Sequence, residues 1–393
     1  MAYIITFIFT AGCMHQLQKV SNVSKENIFS KLQITIWGGL SVLIPSVLAG
    51  FRSVNIGTDN YNYLIMFEQI SLIKSIKDIL VYDQELLYSL LNYVVSRFTH
   101  DYHWICFFSE FITMIFIVMG FYYFRDKISL SLSILVYLFF WYAHFINIVR
   151  QGIALSICFF ALRYVIEKKP IYFFIFVAIA FMFHSSAIFS IPIYFIAVIL
   201  NKKYSNLKIL FLFVLLLAGM RIFPILFVWI KNTLPFIRVI SVRNEINETT
   251  TIGFSLNQTV YRLPVLFATT ICYHCLNKKY NIYKYLYMML LVDIVVVQLN
   301  SILFFAYRIG LYYNYASLIA IPLLPHAFKK ENKIWVYTLI LLFAIAWWIY
   351  FTVLNHYGFV RPVYPYESDI LLKMISNFEM NKCLIANVDN FLI

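Results

Sequence analysis

Long apolar runs alternate with short polar, often basic, stretches along the whole chain. The runs are 2–16, 34–51, 104–124, 128–146, 149–166, 171–185, 186–200, 208–230, 259–276, 285–304, 306–327 and 334–354. Most approach the ~20 residues a membrane-spanning helix needs. The pattern predicts an all-α, polytopic transmembrane helical bundle of about 11–13 segments. The runs 171–185 and 186–200 are short for full spans, they meet at His184-Ser185-Ser186, and Pro192 interrupts the second. Two broken or tilted helices are expected there, a geometry tolerated only where protein lines a cavity. Residues 83–98 have a different pattern: Glu85, Tyr88, Ser89 and Asn92 recur at i, i+3, i+4 and i+7. That spacing predicts an amphipathic helix, re-entrant or interfacial at the outer leaflet. No internal repeat stands out. The expected organisation is one transmembrane domain, 1–354, with outer loops 52–103 and 231–258, followed by an extracytoplasmic tail, 355–393.

Composition strengthens this picture. Of 393 residues, 62% are hydrophobic and 12% are charged. Soluble domains are about half apolar and about a quarter charged, so lipid must be the solvent of this chain. The aromatic share of 19% suits headgroup belts and equally suits sugar stacking. Residues 2–14 precede a Lys without a small-residue cleavage site, so they read as a first membrane segment rather than a secretory signal.

The net charge of +13 would suggest nucleic acid in a soluble protein. Here its distribution points to topology, and no nucleic-acid partner is expected. Loops 17–33, 125–127, 167–170, 201–208, 277–284 and 329–333 hold about half of the 31 basic residues, all Lys except Arg125. The positive-inside rule places these loops in the cytoplasm. The remaining loops then lie outside, and they and the adjacent helix ends carry Arg52, Arg97, Arg150, Arg238, Arg243, Arg262, Arg308 and Arg361. Topology disfavours positive charge there, whereas Arg suits bidentate recognition of phosphate or carboxylate.

Four constellations fall on that outer side. Arg52 is followed by Gly57-Thr58-Asp59, a turn that presents a hydroxyl and a carboxylate or simply caps the next helix. Asn147, Arg150 and Gln151 share one face at a helix start, where Arg150 meets an anion, snorkels or pairs with an acid; Gly152 permits close helix approach. His184 at its break donates a hydrogen bond to a phosphate, relays a proton, or is a structural histidine. Arg308, Tyr312 and Tyr315 form a stripe that binds substrate or anchors at the interface, and Arg262 has the same ambiguity. Asp293 is an intramembrane carboxylate, which suits proton coupling or partnership with a buried Arg. Cys272 and Cys275 flank His274, but no second pair completes a zinc set, so no metal or cofactor is expected.

Taken in order, these residues resemble the EpsG family of Wzy-like polysaccharide polymerases. The resemblance runs through Arg52…Gly57-Thr58-Asp59-x-Tyr61, with Tyr63 slightly displaced, Glu85-Leu-Leu-Tyr88…Asn92, Asn147-x-x-Arg150-Gln151-Gly152-Ile-Ala154, Phe183-His184-x-Ser186-Ala187 and Tyr307-Arg308. It covers about 50–320, and Ser185 stands where relatives often carry Lys. The resemblance implies a multi-pass enzyme of the bacterial plasma membrane with an extracytoplasmic active site. It would be a metal-independent glycosyltransferase joining oligosaccharide repeat units carried on undecaprenyl diphosphate. Membrane lipid, a chain-length regulator and a flippase are the implied partners. Arg150, His184 and Arg308, with Arg52, are assigned to the diphosphate, and Asp59, ahead of Glu85, to the base. Thr58, Tyr88, Asn92, Asn147, Gln151, Arg262, Tyr312 and Tyr315 are assigned to the rest of the substrate. A flippase or transporter of the lipid-linked unit and a glycan ligase are the alternatives.

Overall fold

A computed structural model describes residues 1–23, 28–80, 85–201, 256–301, 306–354 and 363–369. The expected segment 208–230, nearly all of loops 201–208 and 231–258, most of the tail, and Arg221, Arg238, Arg243 and Arg361 lie outside these residues. The described residues are all-α. Among them, Ile28–Gly50, His103–Tyr123, Val149–Ile166, Tyr283–Asn300 and Lys330–Leu354 are long and apolar enough to cross a membrane. Leu130–Phe145, Pro170–Phe183, Ser185–Asn201 and Ser317–Ala327 are shorter apolar helices. The protein is an integral membrane protein.

The chain divides into two units. The first comprises Met1–Ser156, Met182–His184 and the described part of Thr338–Ile393; the second comprises Ile157–Phe181 and Ser185–Tyr337.

In the first unit, Ala2–Val23 packs on Ile28–Gly50, which packs in turn on His103–Tyr123. Gly50 makes the second contact possible, because a Cβ there would lie 2.6 Å from the Cβ of Phe107. At one end of the unit, Gln18 donates to the carbonyls of Arg125 and Ile128 (2.7 and 2.8 Å) and accepts from the Leu130 N–H (2.9 Å). Two of the lysine-bearing loops therefore meet at one end. Leu130–Phe145 then carries the chain ~24 Å along the unit. It contains a π-helical turn, Leu138–Tyr142, before residues 146–150 at the other end. The tail returns to that far end. Ser53 N–H donates to the Glu367 carbonyl (2.8 Å), and the Tyr366 hydroxyl donates to the Leu48 carbonyl (3.0 Å).

The expected amphipathic helix is Leu86–Ser96, with Tyr88, Ser89 and Asn92 on its buried face and Glu85 at its N-cap. The break at His184 also forms: Pro170–Phe183 ends there, and a 3-10 turn, Ser185–Ser190, leads into Ile191–Asn201. Pro192 does not interrupt that last helix. It sits in the first turn, where its missing N–H would have had no partner within the helix.

In the second unit, two runs expected to be continuous are broken. The run 259–276 divides into Leu256–Val260, Leu263–Ile271 and Tyr273–Lys279, with Pro264 starting the middle piece. The run 306–327 divides at Tyr315-Ala316, and Pro322 removes a further backbone donor from Ser317–Leu323. Cys275, expected inside a span, is exposed beyond the break at Cys272.

Candidate active site

The first unit gathers two of the sequence constellations into one cluster. Asn147 is the link. It is not on a helix face with Arg150, as the spacing predicts; it lies in a turn before Val149–Ile166. From there its buried side chain reaches back to the Gly57-Thr58 turn, where Oδ1 accepts from the Thr58 N–H (2.8 Å). Its Nδ2 donates to the Ala143 carbonyl (2.9 Å). Gly57 is required twice over. Its φ is +103°, and a Cβ there would lie 2.7 Å from Asn147 Oδ1. Gly57→Ala should therefore cost about 1–2 kcal/mol from backbone strain alone, with the displacement of Asn147 added. A lowered melting temperature of the purified protein checks this; an unchanged one would mean that the turn is not held as described.

Arg52 and Arg150 end up in different environments. Arg52 is 1% exposed. It donates from Nη2 to Asn60 Oδ1 (2.9 Å) and to the Ile146 carbonyl (3.0 Å), and from Nη1 to the Ala49 carbonyl. Asn60 also accepts from Tyr102 and donates to the Ser53 and Val54 carbonyls (3.3 Å each). Arg52 thus holds together the ends of three segments. Its nitrogens are turned into the protein rather than toward a ligand, which differs from the diphosphate contact that the resemblance implies.

Arg150 pairs with Glu85, and both side chains keep solvent access, at 23% and 18% exposed. The Arg150 guanidinium lies over the Tyr63 ring, 5.9 Å from its centre, and Tyr63 meets Tyr88 edge-on at 5.8 Å. Burial pushes the Tyr63 phenol up; Arg150 lowers it and Asp59 raises it, so Tyr63 feels both charges. Asp59 is half-buried at the N-cap position of Asn60–Ser71, yet its side chain makes no capping bond. Thr58 is exposed beside it. Tyr88, Asn92 and Gln151 are buried, with Asn92 Nδ2 donating to the Tyr88 carbonyl (2.8 Å). They are therefore not presented at a surface. His184 is half-buried at its break.

In the second unit, Arg262 Nε donates to Asp293 Oδ2 (2.7 Å), so the intramembrane carboxylate has a basic partner. Ser186 and Tyr312 share a hydrogen bond of 3.0 Å, and Tyr315 packs edge-on against Phe159. Both tyrosines are fully buried, so neither offers a ring face to a sugar in this geometry. Arg308 donates from Nε to its neighbour Tyr307 (3.0 Å).

Two polar residues of the first unit are absent from the sequence-based expectations. Asn60 carries no signal beyond following the Gly-Thr-Asp turn. Glu110 carries one: it is the lone acid in the run 104–124, and a carboxylate inside a span is a functional candidate by default. Glu110 is 5% exposed and accepts from the Tyr137 hydroxyl (3.4 Å).

The family model described as "EpsG family" matches residues 35–368. The chain belongs to the EpsG family. This is a Wzy-like polysaccharide polymerase family. The matched stretch of this EpsG-family chain begins within Ile28–Gly50, covers the whole polar cluster, and ends among the tail residues bonded to Ser53. No curated protein and no solved structure matches the chain.

Proposed function

We propose that this protein polymerises oligosaccharide repeat units carried on undecaprenyl diphosphate at the outer face of the plasma membrane. The observation that carries this reading is the solvent-reachable Arg150–Glu85 pair, set with Asp59 at the end of the first unit remote from the lysine-bearing loops. The donor is a glycosyl diphosphate. A bond forms between an acceptor hydroxyl and the anomeric carbon, and the bond from that carbon to the phosphate oxygen breaks. The growing chain passes to the non-reducing end of the incoming unit, and the lipid diphosphate leaves with the electron pair. Asp59 takes the hydroxyl proton. Arg150 stabilises charge on the leaving diphosphate, exchanging Glu85 for a phosphate oxygen, which needs no metal. His184 is a further diphosphate contact in this reading, and Thr58 contacts the sugar.

Deleting the gene tests the reading through the size distribution of the surface glycan. Single repeat units at the surface, with long chains restored by the wild-type gene, are expected. Lipid-linked units trapped at the cytoplasmic face would instead identify a flippase. Intact long chains left unattached to their final acceptor would identify a ligase.

A further inference from the structure

The second unit builds a mount around Arg262 that the sequence constellations do not include. Four helices contribute to it. Arg262, at the start of Leu263–Ile271, donates from Nη1 to the carbonyl of Gln258 on the preceding helix (3.0 Å). Its Nε is fixed by Asp293 of Tyr283–Val297. The same Asp293 oxygen accepts from Asn314 Nδ2 (2.5 Å), at the end of Ala306–Asn314. Gly310, one turn before Asn314, lets the carboxylate come this close, because a Cβ there would overlap Asp293 Oδ1. Asp293 is 1% exposed, whereas the Arg262 side chain is 11% exposed. Arg262 Nη2 has no hydrogen-bond partner among the described residues.

A flexible Arg loses rotamer freedom whenever it binds, and fixing two of its nitrogens beforehand removes that cost. The pair is neutral as a whole, so what Arg262 offers is a directed N–H donor rather than a net charge. Neutrality is also what allows a guanidinium to sit beside a spanning helix. We infer that Asp293 and Asn314 are positioning residues that aim Arg262 Nη2 at the diphosphate of the lipid-linked substrate. This rests on the polymerase reading above.

The test is equilibrium binding of undecaprenyl diphosphate, with undecaprenol as the uncharged control, to the full-length protein in nanodiscs. Wild type should prefer the diphosphate. Asp293→Asn, which keeps the side-chain shape, should weaken diphosphate binding by about tenfold, the worth of one charge-assisted hydrogen bond. Binding of undecaprenol should be unchanged. Asn314→Ala should act in the same direction at lower structural risk. The reciprocal exchange, Arg262→Asp with Asp293→Arg, should recover the melting temperature but not the diphosphate preference. Unchanged or tighter diphosphate binding in Asp293→Asn and Asn314→Ala, or full recovery in the exchange, would show that the pair only balances charge and would overturn the inference. A wild-type protein with no preference for the diphosphate would overturn the function itself.

Discussion

Replacing Arg150 by alanine should reduce the surface glycan to single repeat units while leaving the protein folded in the membrane. The fold tolerates the change because Glu85 does not depend on its partner. It keeps solvent access and sits at the N-cap of Leu86–Ser96, where a negative charge is favoured by the helix dipole. The reaction should not tolerate it, because one donor to a developing oxyanion is worth about 10²–10³ in rate. Glycan length at matched protein level is the measurement, and normal chain length would remove Arg150 from the mechanism. Arg150→Lys should recover only part of the activity, since a lysine keeps the charge but not the two-pronged geometry. Glu85→Gln separates two roles for the acid. Long chains should persist if Glu85 is the resting partner of Arg150 and Asp59 is the base; their loss would transfer the base to Glu85.

Replacing Arg52 by alanine should fail in the opposite way, with the fold lost before any chemistry can be read. Its hydrogen bonds go to Ala49, Asn60 and Ile146, and its side chain is sealed from solvent. Truncation leaves the buried Ala49 and Ile146 carbonyls unpaired at about 1–3 kcal/mol each, while Asn60 keeps Tyr102, so a loss of at least about 2 kcal/mol is expected. A fall in melting temperature and in purified yield would report it, with Arg150→Ala near wild type in the same assay. If Arg52→Ala instead melts like wild type but makes no long chains, Arg52 belongs to the substrate after all. Only the joint outcome, one variant inactive and stable and the other unstable, supports the division of labour drawn from their surroundings.

These two arginines also show where the sequence stopped being informative. Both lie on the arginine-rich side, both precede or start a polar motif, and the same diphosphate role suits both. Asp293 repeats the case. Its intramembrane position marks it as chemically significant, but whether a proton or a basic partner accounts for it depends on Arg262, 31 residues away. Tyr312 lies in Ala306–Asn314 and Tyr315 at the break that follows, and packing within the second unit buries both rings.

By itself the sequence determined the features that depend on local composition alone. Apolar runs must become helices in lipid, because a spanning backbone has to satisfy its own hydrogen bonds. That logic gave the all-α class, the amphipathic helix over Leu86–Ser96 and the break at His184. Prolines modified it within single runs, as at Pro264 and Pro322. Only the tertiary structure decided which polar groups meet. Asn147 holds the Thr58 turn across 89 residues, and Glu85 meets Arg150 across 65. A buried polar group takes whichever partner the packed helices bring within about 3 Å. Side-chain type records that a partner is needed, and the packing of the helices determines which one it is.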